Sequence, residues 1–140
     1  MKRVPFVSII LENAEGEVLL LLRDNRSTLT CPNHWTLISG KMEAGETPDL
    51  AARRKLEEET GLKTDLSFWK RYEREHPLFN IDQHIYTGKV DTARELLVLG
   101  PDTQFFKPCE IEHLKIGYGY KALLNEYFLT HIGNSYVHHS

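Results

Sequence analysis

Apolar residues fall in short dense blocks along the first part of the chain and at three-four spacing near its end. Residues 4–11 and 18–22 are leucine-rich or β-branched runs separated by Asn13-Ala14-Glu15-Gly16, a pattern that predicts two strands joined by a tight turn. Their near-continuous apolarity predicts strands covered on both faces. The polar, proline-containing stretch 24–33 predicts a loop, and residues 34–38 (HWTLI) return to strand character ahead of a loop at Gly40. A helix over 48–60 is predicted from its punctuation: Thr47 caps it, Pro48 suits the first helical position, Asp49 favours the positive end of the dipole, and Gly61 suits the left-handed residue past its end. Residues 66–74 and 81–90 read as a long antiparallel pair, 103–107 as a shorter strand and 108–114 as a brief helix. Tyr120, Leu123, Leu124, Tyr127 and Phe128 then repeat at helical spacing, which predicts an amphipathic terminal helix over 117–132.

Length and composition narrow the classes. At 140 residues, 41% hydrophobic and 26% charged, the chain suits a single domain, assigned to 1–134, with 135–140 expected as a disordered tail. A net charge of -3, from 17 basic and 20 acidic residues, gives no broad cationic field, so a nucleic acid polymer is not the expected partner. Small charged ligands held through a metal remain open. Cys31 and Cys109 form no C-x-x-C pair and read as reduced thiols of a cytosolic protein. The first apolar run is broken by Pro5 and ended by Glu12, too short for a signal segment or a membrane span, so a cytoplasmic location without a membrane partner is expected.

The chemistry concentrates in residues 40–62, GKMEAGETPDLAARRKLEEETGL. Lys55, Glu58 and Glu59 lie on one face of the predicted helix, because positions i, i+3 and i+4 are neighbours on its surface, and Ala51 one turn earlier keeps that face shallow. Two adjacent carboxylates repel one another when ionised, and a divalent cation such as Mg²⁺ or Mn²⁺ relieves that repulsion while leaving positions for phosphate oxygens and water. Taken alone, Glu57-Glu58-Glu59 reads as a solvated acidic face. Its neighbours change that reading: Gly40 permits close approach of another group, Glu46 lies near the amide donors of the first helical turn, and Arg54 can bond a nearby glutamate and fix its direction.

The segment resembles the Nudix box, G-x5-E-x7-R-E-U-x-E-E-x-G-U with U a bulky aliphatic residue, through Gly40, Glu46, Arg54, Leu56, Glu58, Glu59, Gly61 and Leu62. The strand pair at the start, HWTLISG before the box and the late FFKPCEIEHL extend the likeness to MutT-like Nudix proteins over nearly the whole chain. The resemblance implies an α+β fold, with a mixed β-sheet in an α/β/α sandwich, and hydrolysis of a small-molecule nucleoside diphosphate derivative. It implies Glu58, Glu59 and the carbonyl of Gly40 as metal ligands, Arg54, Glu58 and Glu59 as catalytic residues, and Gly40, Glu46 and Gly61 as structural positions. A bound ion would neutralise the phosphoryl oxygens and lower the pKa of water.

One position departs from the pattern. The glutamate that follows the arginine in the family is Lys55, which removes a carboxylate and adds an opposing charge. A further family glutamate beyond the box has no counterpart in LVLGPDTQFF except the nearby Asp102. Three accounts follow: another group, such as Glu43, Glu73, Glu75, His76 or Asp102, supplies the base; the domain binds a nucleotide without efficient cleavage, with Lys55 on a phosphate as a point charge; or the lysine is an introduced replacement. Slow or altered hydrolysis ranks first, because Glu46, Arg54, Glu58 and Glu59 all remain, and a nucleotide-binding or regulatory domain with little turnover ranks second. Arg23 is a candidate phosphate contact. Trp35, Phe79, Tyr86, Phe105 and Phe106 are stacking candidates that read more readily as core, while His34, His76, His84 and His113 show no metal-ligand spacing. The strand pair 66–90 leaves a homodimer open.

Overall fold

The computed structural model describes residues 2–22, 33–75, 77–95 and 97–139, with 131–139 described at the level of the backbone. Strand β1 (Arg3–Asn13) lies at the centre of a mixed sheet and runs parallel to β6 (Asn80–Val90), in register from Arg3↔Asn80 to Asn13↔Val90. The turn after β1 is closed by the side chain of Asn13, whose Oδ1 accepts from the N–H groups of Glu15 and Glu17, and by Gly16 in the left-handed region, φ 79°. Strand β2 (Val18–Leu22) returns antiparallel and is flanked by β3 (Trp35–Thr36) and β7 (Thr103–Phe106). Strand β4 (Ile38–Lys41) pairs the first half of β1, from Phe6↔Lys41 to Ile9↔Ile38, and β5 (Ser67–Glu75) forms the outer edge beside β6.

A parallel neighbour needs a long crossover, and helix α1 (Pro48–Thr60) lies within it. Val7, Ile9 and Leu11 of β1 face α1, where Ala51, Ala52 and Leu56 are buried against them. Ile10 points the other way, into a second core with Leu20, Ile85, Phe106 and Ile111, covered by α2 (Pro108–Ile111) and α3 (Tyr120–His139) through Tyr120, Leu124 and Tyr127. The apolar run of β1 is therefore a strand buried on both faces, and the architecture is the expected sheet between helical layers.

The differences from expectation are local. The strand expected at 34–38 is two strands, because Thr36 pairs Leu21 of β2 while Ile38 pairs Ile9 of β1, and the chain changes partner at Leu37. Gly40 consequently sits inside β4 and not in a loop. The brief helix ends at Ile111, where His113 and Leu114 donate instead to the carbonyls three residues back. The terminal helix starts only at Tyr120, since Tyr118 and Gly119 hold φ values of 61° and 73°, and it runs on to His139, across residues expected as a tail. No helix among the described residues is long and apolar enough to cross a membrane.

Candidate active site

Helix α1 is anchored at both ends. Thr47 has extended backbone, φ -83° and ψ 161°, and its Oγ1 accepts from the N–H of Leu50 at 3.2 Å, while Gly61, φ 75°, donates its N–H to the Glu57 carbonyl at 2.8 Å. The phenol of Tyr86 donates to Asp49 in the first turn, which ties the helix start to the sheet.

Arg54 joins this helix to the segment before it. Its Nε donates to Glu46 Oε2 at 2.8 Å, its Nη2 to Glu46 Oε1 at 3.0 Å and to the Lys41 carbonyl at 3.2 Å, and its Nη1 to Glu58 Oε1 at 3.1 Å. The paired bonds to Glu46 use the planar fork that arginine alone provides. Glu46, expected near the amides of the first helical turn, directs its carboxylate to the loop and to Arg54. Thr47 already serves that end, and the Glu46 carboxylate accepts from Arg54 and from the Glu43 N–H at 2.8 Å. Its pKa is held below the ordinary carboxylate value by the Arg54 bonds and then by the Glu43 amide. Glu58 is lowered too, first by Arg54 and then by Lys55, and Arg54 is raised by its bonds to Glu46 and Glu58.

Lys55 lies beside the acidic pair. Its Nζ is 3.2 Å from Glu58 Oε2 and 3.7 Å from Glu59 Oε1, and its side chain is only 18% exposed. Its stem crosses Gly40 so closely that a Cβ at Gly40 would stand 2.6 Å from Lys55 Cδ and Cε. The left-handed turn between β4 and α1 falls to Gly45, φ 84°. Lys55, Glu58 and Glu59 thus share one face, next to Gly40. The two carboxylates converge on one cation position, and hard oxygen donors of this kind fit a hard divalent ion once the ammonium that stands there moves aside. Among the described residues, no group of three or more His, Cys, Asp or Glu is placed to hold a metal.

The other sequence candidates separate. Arg23, His76 and Cys31 lie outside the described residues. Glu73 is paired with Arg3 at 2.6 Å on the sheet edge, Glu43 reaches Arg54 at 3.7 Å, and the backbone carbonyl of Asp102 accepts from the Leu22 N–H. Trp35 packs edge-on against buried Phe106, Phe105 packs against the α1-side core, and Tyr86 is buried with its hydroxyl on Asp49. His84 lies 3.5 Å from Asp82, which is also bound by Arg71. Cys109 is an exposed free thiol. A cavity of about 540 Å³ between the ends of β1 and β6, lined by Glu12, Asn13, Lys89, Asp91, Arg94 and Glu95 among others, does not include the box residues.

Sequence reasoning missed a buried polar cluster beside Gly40. Ser39 Oγ lies 2.8 Å from the Tyr120 hydroxyl and 2.9 Å from Ser8 Oγ, and Gln83 Nε2 donates to both Ser8 and Tyr120. The lone Ser8 within VPFVSIIL was the available signal, but its partners come from three distant segments.

Comparison with known proteins bears on the family and the fold. The family profile described as NUDIX domain matches residues 2–121. A mutT/nudix family protein of Listeria innocua superposes with a TM-score of 0.79 over 98% of both chains at 21% identity. The NUDIX domain of Shewanella oneidensis NrtR, solved in complex with ADP ribose, gives 0.74 over 91% of this chain and 87% of that one at 14% identity. At such identities the likeness concerns the fold. A curated RNA pyrophosphohydrolase of Rhodospirillum rubrum is 40% identical over 60 residues, 43% of this chain, and the match spans only 33% of that relative's length.

Proposed function

The chain belongs to the NUDIX domain family, whose hydrolases use divalent metal ions, and on that premise we propose that it hydrolyses the diphosphate linkage of a small nucleoside diphosphate derivative, slowly, with Mg²⁺ or Mn²⁺. The observation that carries this reading is the convergence of Glu58 and Glu59 on one cation position beside Gly40, with Arg54 fixing one of the two. Glu58, Glu59 and the carbonyl of Gly40 would hold the ion, which when bound withdraws charge from phosphoryl oxygens and makes water a better nucleophile. Arg54 is a positioning residue: it holds Glu58 from one side and the segment 41–46 from the other. Glu46 and Gly61 maintain the frame, and Lys55 supplies positive charge toward phosphate.

The slow rate follows from the box position taken by Lys55. An ammonium accepts no proton from water, and loss of a general base typically lowers a rate by about 10² to 10⁴. The ligand class draws support from two relatives, one called an RNA pyrophosphohydrolase and one solved with ADP ribose.

Product analysis over nucleoside triphosphates, nucleotide sugars, ADP ribose and dinucleoside polyphosphates, in Mg²⁺ and in Mn²⁺, tests the reading. Slow cleavage of at least one class is expected, abolished by Glu58→Gln with Glu59→Gln and raised by roughly 10² or more in Lys55→Glu. Cleavage that survives the double glutamine variant would refute it. A second reading, a nucleotide-binding domain with little turnover, is favoured by the ion pairs that Lys55 makes with both glutamates. It takes over if the wild-type chain binds a nucleotide and only Lys55→Glu turns it over.

A further inference from the structure

Lys55 is placed unlike a surface lysine. Its side chain is 18% exposed, against 78% for Lys63 just past the same helix. On a solvated helix the order lysine then glutamate is the weaker arrangement of an ion pair, so helical preference alone does not account for one ammonium serving two carboxylates. The packing does: the Lys55 stem fills the space over Gly40, where a Cβ would overlap it, and this delivers Nζ to Glu58 Oε2 and Glu59 Oε1 together. Arg54 engages only the other oxygen of Glu58. Within this group Lys55 already supplies one of the two positive charges that a divalent ion would bring to the pair.

We propose that the Lys55 ammonium is a tethered counter-cation: it competes with a divalent ion for Glu58 and Glu59 and itself takes the diphosphate, so that the site binds a nucleoside diphosphate without metal. The inference rests on reading this site as a diphosphate site. A divalent ion entering the pair meets a fixed positive charge within a few ångströms, and the repulsion scales with the ion's double charge. A diphosphate meets the opposite situation, since Lys55 offsets one carboxylate charge, Arg54 pairs with Glu58 from the other side, and the ammonium still has a donor to offer to phosphoryl oxygens.

Two titrations on the full chain test this. ADP is titrated by calorimetry into wild type, Lys55→Met and Lys55→Glu, once with EDTA and once with Mn²⁺; Mn²⁺ alone is titrated into the same proteins and read by the electron paramagnetic resonance signal of the free ion. Met keeps an apolar stem over Gly40 without the charge, and melting curves of all three proteins check the fold. Wild type is expected to bind ADP in EDTA, with Lys55→Met weaker by roughly tenfold or more, the worth of one charge-assisted hydrogen bond. Lys55→Glu is expected to bind Mn²⁺ at least about tenfold more tightly than wild type, and to bind ADP only when Mn²⁺ is present. The inference is overturned if chelation abolishes ADP binding to wild type, or if wild type and Lys55→Glu take up Mn²⁺ alike. Absence of ADP binding by every protein in both conditions is a different result: it removes the diphosphate reading, and this inference with it.

Discussion

Arg54 couples three parts of the site at once, through Glu46, Glu58 and the Lys41 carbonyl, and Glu46 is its most complete partner. Because the folded pKa of Glu46 lies below the ordinary 4.5, the charged carboxylate favours the folded state. That contribution is complete above the ordinary carboxylate range and is lost as pH falls through the lowered value. Glu46→Gln is therefore expected to melt below wild type near neutral pH, with the difference closing as pH drops beneath 4.5. Melting curves from pH 7 to pH 3 read this directly, and a pH-independent gap would show that the ion pair is not its source. Helical spacing made Lys55, Glu58 and Glu59 legible as neighbours on one face, and Arg54 legible as a partner for a nearby glutamate. The partner of Glu46 was not, because a carboxylate before a helix cap ordinarily turns to the first amides, and only the geometry shows Thr47 serving there.

Helix α1 carries these residues, and its punctuation was readable in Thr47, Pro48 and Gly61 to the residue. Caps are local: each depends on backbone groups within one turn, so sequence neighbours suffice to predict them. Gly61 offers a clean test at this scale. An added Cβ there meets only Val98, at 3.7 Å, an ordinary contact, so the cost of a side chain is the left-handed backbone itself. Gly61→Ala is expected to destabilise the fold by about 1–2 kcal/mol, measured by urea unfolding at constant slope, and a neutral result would mean that the cap relaxes. The split of the strand expected at 34–38 was not legible, since it comes from pairing with two different partners, β2 and β1. The late start of α3 has another source: Tyr118 and Gly119 hold positive φ values, so the helix begins at Tyr120, the first residue of the apolar pattern.

For the molecule as a whole, alternating side chains of β1, buried on both faces, separate two cores, one under α1 and one under α3, and this layering followed from the near-continuous apolar runs. The parallel register of β1 with β6 joins residues almost 80 positions apart, as in Arg3↔Asn80, and no local signal specifies it. The same distance hides the Ser8, Ser39, Gln83 and Tyr120 cluster, whose members meet only when β1, β4, β6 and α3 assemble. The edge strand β5 carries Lys70, Arg71, Glu73, Arg74 and Glu75, charges that discourage pairing with another edge. This scaffold presents one helix face to a short strand containing Gly40, and in the proposed function that face gathers a cation against a diphosphate. The most direct measurement is manganese anomalous scattering from crystals of Lys55→Glu grown with a non-hydrolysable α,β-methylene diphosphate nucleotide. A peak shared by the carboxylates of Glu58 and Glu59, with the diphosphate beside it, is the expected result. A nucleotide bound elsewhere, or no manganese at that pair, would contradict it.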